Sequence, residues 1–496
     1  MNYLKERTLQ SGVIKLFAQG VNFLLRVGSL VILARLLDPK DFGLVGMVTA
    51  VTGIFGLFKD AGLSMVTIQR PTINIAQIST LFWLNIFVGG FLAGLSLVAA
   101  PLIVSFYSEP RLFWVTVVMG TGFLLSAIGI QHLALLQREM RFGVLSLIEI
   151  GSQAVSVFVG IGLAIEGFEY WALVWSAVVL PAVTTLGAWL AIGWVPGRPH
   201  WEGDSGHALR FSGVTTLNSL IMYVSYNLDK VLLGRFCGAD ALGLYGRAFQ
   251  LISIPSDNIT QATGSVLFSA LARLQDDYER LKRYFLSSYS VMLSLTLPTT
   301  IMCALFAEDI IMLALGEKWK DAVILFQIFA PTIVALAILS PTYWLLVSIG
   351  KARRSLNIAF VLGPVIIAGY IIGLPFGPKG VAFAYSTVLI LWMIPHMVWC
   401  VHDTPISWQD IMKASGKPLL SALTAGAVAF LVQLAVGQSL SPFLRIVLGG
   451  GVLIVVYVFM LLYVMRQKAF YQDLLLGILR RPPKNGTQPV AVYDRM

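Results

Sequence analysis

Hydrophobic residues along this chain come in long runs, not in the short alternations of a water-soluble fold. Bounded by charged or Gly/Pro-rich breaks, the first six runs cover residues 12–37, 42–66, 78–104, 112–135, 143–165 and 168–194. Six more cover 211–236, 242–268, 284–309, 322–349, 355–376 and 380–402, and two follow at 419–437 and 443–465. A run of about 18 residues or more crosses roughly 30 Å of hydrocarbon as a helix. Backbone amides have no water to bond to in lipid, so such runs close their hydrogen bonds internally. The pattern predicts an all-α integral membrane protein with about fourteen transmembrane helices.

Polar breaks and an internal repeat divide these spans. Residues 34–46, ARLLDPKDFGLVG, align without gaps on 234–246, GRFCGADALGLYG, with Arg35/Arg235, Gly43/Gly243, Leu44/Leu244 and Gly46/Gly246 coinciding. Gly167, Ala172 and Ser176 fall opposite Gly377, Ala382 and Ser386. With six spans per half in one orientation, the identities predict two parallel six-helix lobes plus two C-terminal helices, an architecture suited to alternating access. The expected organisation is a first lobe at 1–195, a linker at 196–210, a second lobe at 211–402, the last two spans within 403–465, and a polar tail at 466–496.

Polar residues inside the spans carry the candidate chemistry. In helix 1, Lys15, Gln19, Asn22, Arg26 and Ser29 step by four, three, four and three, which puts them on one helical face. Thr215, Asn218, Ser225 and Asp229 form a similar stripe in helix 7. Helix 2 offers Thr49, Thr52, Gly56, Lys59 and Asp60; helix 8 offers Arg247, Gln250, Ser253, Asp257 and Gln261. An ionised side chain facing lipid costs at least ~2.5 kcal/mol, so these faces should turn inward and line a polar cavity. Within or at the rims of these spans Lys15, Arg26, Arg35, Lys59, Lys230 and Arg247 outweigh Asp60, Glu149, Asp229 and Asp257, which suits an anionic ligand. Duller readings stand beside this one. Arg26 lines the cavity or pairs with an acid such as Asp257, Lys15 contributes or snorkels, and Lys59–Asp60 and Asp229–Lys230 also read as local pairs. His396 reads as a core histidine.

Composition agrees with a membrane location: 57% of residues are hydrophobic and 12% charged. The net charge of +10 does not point to nucleic acid, because position explains it. With both termini on the cytoplasmic side, that side carries 22 Lys and Arg and the other side 7. The first twenty residues run into the first span without a signal-peptide cleavage site and are expected to remain as helix 1. Cys237, Cys303 and Cys400 are far apart and form no framework, and no P-loop, metal-ligand or nucleophile motif appears, so neither an ATP nor a metal cofactor is expected.

LARLLDPKDFGL (33–44), GLSMVTIQR (62–70), NLDKVLLGRFCGADALGLYGRA (227–248) and LFSALARLQDD (267–277) together resemble the polysaccharide flippases of the multidrug/oligosaccharidyl-lipid/polysaccharide superfamily. The likeness is to the colanic-acid and teichuronic-acid type exporters, over about the first 400 residues. It implies a non-enzymatic transporter with two six-helix lobes in the bacterial inner membrane. Such a protein turns over undecaprenyl-diphosphate-linked repeat units beside a polysaccharide polymerase and export machinery. On that reading Arg26, Lys15, Lys59 and Lys230 meet the phosphates, Gln19, Asn22 and Asn218 meet sugar hydroxyls, and Asp229 and Asp257 serve coupling. A related lipid-linked-precursor flippase uses acids on helices 7 and 11 for sodium. Here helix 7 has Asp229 but helix 11 has no acid, which favours proton or potential coupling. The alternatives are a drug or cation antiporter of the same superfamily, which favours acidic and aromatic cavities, and a membrane glycan polymerase or ligase, which needs a large outer loop.

Overall fold

The computed structural model describes residues 2–60, 62–70, 72–199, 206–436 and 440–479. Parts of the expected linker and most of the polar tail, including Arg480, Arg481, Lys484 and Arg495, lie outside the described residues. The described residues form helices and connecting turns, with no strand among them. The helices are α1 (Asn2–Leu36), α2 (Pro39–Gly56), α3 (Leu63–Gln69), α4 (Ile75–Tyr107), α5 (Leu112–Arg138), α6 (Phe142–Ile165), α7 (Tyr170–Ile192) and α8 (Gly206–Arg273). There follow α9 (Tyr278–Leu305), α10 (Ala307–Ala314), α11 (Ala322–Ser348), α12 (Ala352–Gly373), α13 (Gly377–Val401), α14 (Trp408–Val436), α15 (Pro442–Phe459) and α16 (Lys468–Leu479).

Among the described residues, ten helical stretches are long and apolar enough to cross a membrane. One of them, Ala352–Val401, takes in two of the expected spans. The expected spans outside this set are 42–66, 211–236 and 242–268, three of the four that carry polar stripes. Polar residues that give those helices a functional face also lower their hydropathy. The span expected at 42–66 is broken: α2 ends at Gly56 and α3 begins after Gly62, whose φ of 77° is left-handed. Spans 7 and 8 meet at Gly238, where φ 85° and ψ 178° interrupt α8. Glycine adopts both conformations without a Cβ penalty.

The chain forms two compact units. The first contains residues 1–249, 314–325 and 352–388. Its helices approach closely through small residues, as helices in lipid do. No room exists for a Cβ at Gly89 beside Ala127, and one at Gly120 would meet the Ser96 side chain at 2.7 Å. The Thr185 hydroxyl donates to the Leu125 carbonyl at 2.7 Å and that of Ser156 to the Ser176 carbonyl at 2.8 Å. Beyond α7 the chain is tied down. The Trp83 indole donates to the Gly197 carbonyl at 2.9 Å, and the Gly197 amide donates to Ser79 Oγ at 3.0 Å. His132, stacked on Trp189, bonds the Trp194 carbonyl at 3.1 Å.

The second unit contains residues 250–313, 326–351 and 389–496. Its core draws on Leu271, Phe285, Tyr289, Leu345, Ala425 and Tyr457, from five helices. The Tyr289 hydroxyl donates to the Ile338 carbonyl at 3.1 Å. Ion pairs hold its ends: Lys282–Asp410 and Arg445–Asp309, each at 2.7 Å. His396 pairs through Nε2 with the Thr342 hydroxyl at 2.9 Å, while its Nδ1 is buried without a hydrogen-bond partner among the described residues.

Candidate functional site

The α1 stripe is the first polar surface. Helix α1 presents Lys15, Gln19 and Arg26 as exposed side chains, spread over about three turns. Arg26 has no hydrogen bond or ion pair among the described residues. Lys15 Nζ stands 6.0 Å from the Phe142 ring centroid, a distant cation–π contact. Asn22 is half-buried, and its carbonyl oxygen is buried without a hydrogen-bond partner.

The second polar surface lies on the first half of α8, before Gly238. Two neighbours in sequence point to different surroundings there. Asp229 is 4% exposed and accepts a 2.7 Å hydrogen bond from the Tyr245 hydroxyl. Tyr370 and Tyr385, buried with ring centroids 5.4 Å apart, belong to the same unit. The Lys230 amine does not pair with this carboxylate; it donates to Asn227 Oδ1 at 2.7 Å, and Asn227 donates to the Tyr223 carbonyl at 2.9 Å. Tyr223 in turn reaches α2, its hydroxyl donating to the Thr49 carbonyl at 3.1 Å. Gly53 leaves the space this hydroxyl fills, since a Cβ would overlap it. Asn218 is buried with its carbonyl oxygen unpartnered.

Lys59 and Asp60 occupy the break between α2 and α3. Asp60 accepts from the Ser64 amide at 3.0 Å and also bonds the Ser64 hydroxyl, so it caps α3. Lys59 is half-buried beside it. Asp257 belongs to the second unit, exposed on α8 beside Ser253. The structure therefore gathers Lys230, Asn218 and Asp229 on one helix, and Lys15, Gln19, Asn22 and Arg26 on another, within the first unit.

Sequence reading missed the tyrosines. Tyr245 bonds Asp229, Tyr223 makes the link to α2, and Tyr370 and Tyr385 are buried in the same unit. One signal was available: a carboxylate in the middle of a span needs donors, and tyrosines away from span ends are suited to supply them.

A model of the family described as polysaccharide biosynthesis protein matches residues 32–324. The chain belongs to that family. Its curated relatives include the lipopolysaccharide biosynthesis protein WzxC of Escherichia coli (strain K12), 25% identical over 78% of this chain and 80% of that protein. They also include the teichuronic acid biosynthesis protein TuaB of Bacillus subtilis (strain 168), 27% identical over 76% of this chain and 78% of that one. Among solved structures, the lipid II flippase MurJ in an inward closed conformation superposes with a TM-score of 0.70 at 14% identity, covering 94% of this chain and all of that one. A multidrug resistance MATE family transporter in an inward-facing conformation gives 0.61 at 16% identity, covering 79% and 96%. At these identities the two structures show the fold. This member of the family is a multi-pass membrane protein with that transporter fold.

Proposed function

We propose that the chain flips undecaprenyl-diphosphate-linked polysaccharide repeat units across the bacterial inner membrane by alternating access of two six-helix lobes. Both termini are cytoplasmic, and the last two spans stand outside the repeat. The family and the names of its relatives support the substrate class, and the flippase fold supports the movement. One observation carries the reading to residues: Arg26 stands exposed, with no ion partner among the described residues, on the α1 face that also carries Lys15, Gln19 and Asn22. A guanidinium in that position is a fork for a diphosphate. Lys15, Lys59 and Lys230 add charge, while Gln19, Asn22 and Asn218 contact sugar hydroxyls. The repeat unit passes to a polymerase and export machinery on the far side.

Coupling falls to Asp229, with Asp257 as a second acid. Asp229 lies in the fold as a buried carboxylate whose neighbouring lysine is bonded elsewhere, the arrangement expected of an acid that takes up a proton or cation. In a flipping assay with sodium, pH and potential varied separately, Asp229→Asn should stop driven accumulation while yield and substrate binding persist. Normal driven accumulation by this variant removes Asp229 from coupling. Arg26→Ala should abolish export at normal membrane abundance, and Arg26→Lys should keep part of it; full export by the alanine variant removes Arg26 from the site. Reporter fusions should place Arg141, Arg280 and Arg354 in the cytoplasm, with Lys40, Glu166 and Lys379 outside.

A further inference from the structure

The aligned segments 34–46 and 234–246 meet in the first unit, and the way they meet is reciprocal. Shifting a residue number by 200 converts Pro39 into Ala239 and Gly43 into Gly243. Gly43 packs so closely on the Ala239 carbonyl oxygen that a Cβ would overlap it. Gly243 packs in the same way on the Pro39 carbonyl oxygen. Each copy of the motif thus presents the same glycine to the same backbone position of the other, the signature of a self-complementary two-fold contact. The arginines of the two copies follow the pattern. Arg35 Nε donates to the Ala314 carbonyl at 3.4 Å, and Arg235 Nη1 donates to Ser108 Oγ at 3.2 Å. Ser108 closes α4, the third span, and Ala314 closes the short α10 that follows α9, the ninth.

Side chains add to this backbone contact without repeating the symmetry. Lys318 Nζ pairs with Asp38 at 2.7 Å, both side chains being about half exposed. The Trp319 indole donates to the Ala34 carbonyl at 2.8 Å. Phe42 takes the Trp319 edge at 5.4 Å and the Arg247 guanidinium over its face at 4.0 Å. Leu242, 2% exposed, fills the space beside Gly46 and Gly234.

We infer that this rim is a latch that closes one mouth of the transporter, its shut position set by Gly43 and Gly243. Backbones in direct contact leave no passage for a sugar. The latch is also suited to release. An exposed ion pair contributes little, the two glycine contacts are backbone on backbone, and the apolar cost of opening falls on Phe42, Leu242 and Trp319. Which mouth it closes rests on the proposed topology, which makes it the outer one; that the rim is a latch does not depend on substrate identity.

The test uses the full-length protein in right-side-out vesicles, with Cys237, Cys303 and Cys400 replaced by Ala and Leu242→Cys as reporter. A membrane-impermeant maleimide should label this cysteine slowly. Gly43→Ala and Gly243→Ala, in opposite halves, should each raise the labelling rate by the same factor, on the order of tenfold, equivalent to ~1.4 kcal/mol. Gly46→Ala and Gly246→Ala should leave it unchanged. A Cβ at Gly46 meets only Leu242 at ordinary contact distance, and one at Gly246 meets nothing within 4 Å. Equal effects from all four alanines, or none from Gly43→Ala and Gly243→Ala, overturn the latch. Should those two variants fail to accumulate, Lys318→Asp should raise labelling a few-fold and Asp38→Lys added to it should bring the rate back. Absence of both the rise and the restoration overturns it equally. Labelling needs no substrate, so a latch that responds as expected beside an absent flipping activity would count against the proposed substrate alone.

Discussion

The second helices of the two repeats start alike and finish differently. Both leave the rim through the same motif, and both bring a glycine against the backbone of the other, Gly43 on Ala239 and Gly243 on Pro39. Nineteen residues after Gly43 the first has broken, with Gly62 in a left-handed conformation and Asp60 capping the short α3. Its counterpart runs through the equivalent position to Arg273. The residues 200 further on explain why: Ile259, Thr260 and Ala262 stand where the first repeat has Lys59, Asp60 and Gly62. An alanine favours continuing a helix, whereas a glycine after a charged pair allows it to stop. The broken copy is held at two places. Its first turns meet α8, and α3 is clamped to α5 by Arg138, which donates to the Thr67 and Arg70 carbonyls at 2.6 and 2.8 Å. The Thr67 hydroxyl also donates to Gln131 at 2.6 Å. A duplicated helix has thus kept its rim contact in both copies and become a jointed element in one.

The clamp is the place to break this contrast most strongly. Arg138→Ala removes a cation from two carbonyls at a helix end, a loss of about 3 kcal/mol for α3. Hydrogen exchange of Leu63–Gln69 should rise by two orders of magnitude while α4 is unaffected; unchanged exchange would show that α3 is held otherwise. Gly62→Ala comes next. A side chain at φ 77° costs about 1–2 kcal/mol, so the variant should lower the thermal midpoint by a few degrees and slow flipping. The reverse change in the unbroken copy, Ala262→Gly, costs about 1 kcal/mol of helix propensity and should leave flipping near normal. An equal loss of flipping from both would erase the functional distinction between the copies.

The smallest expected effect concerns the loop on which Arg235 lands. Arg111 holds the Glu109 carboxyl below its ordinary range, chiefly through a hydrogen bond at 2.8 Å. A carboxylate with a depressed folded value stabilises fully above its unfolded value, near pH ~4.3, and loses that contribution as pH falls through the folded one. Both side chains are partly exposed, so the contribution is under ~1 kcal/mol. Glu109→Gln should flatten the melting curve's dependence on pH below about 4; an unchanged slope would show that other acids carry it.

Most of the helices were legible because lipid imposes one rule on every run: apolar, long enough and internally bonded. The repeat was legible as thirteen aligned residues, although alignment says nothing of the glycines meeting face to face. The break in the second span was hidden by apolar residues on both sides of Lys59 and Asp60, which let 42–66 read as one run. The α1 stripe was visible from its spacing. Tyr223, Tyr245, Tyr370 and Tyr385 were not, because they come from sequence positions over 150 apart and a tyrosine in an apolar run also fits packing or an interface belt.

The tie at Gly197 fixes a length of string. From that pinned residue to Gly206, where α8 begins, the chain has nine peptide steps, which stretch to no more than about 30 Å. The start of α8 therefore lies within about 30 Å of Gly197, and residues inserted between the two would lengthen that reach without touching a single polar stripe.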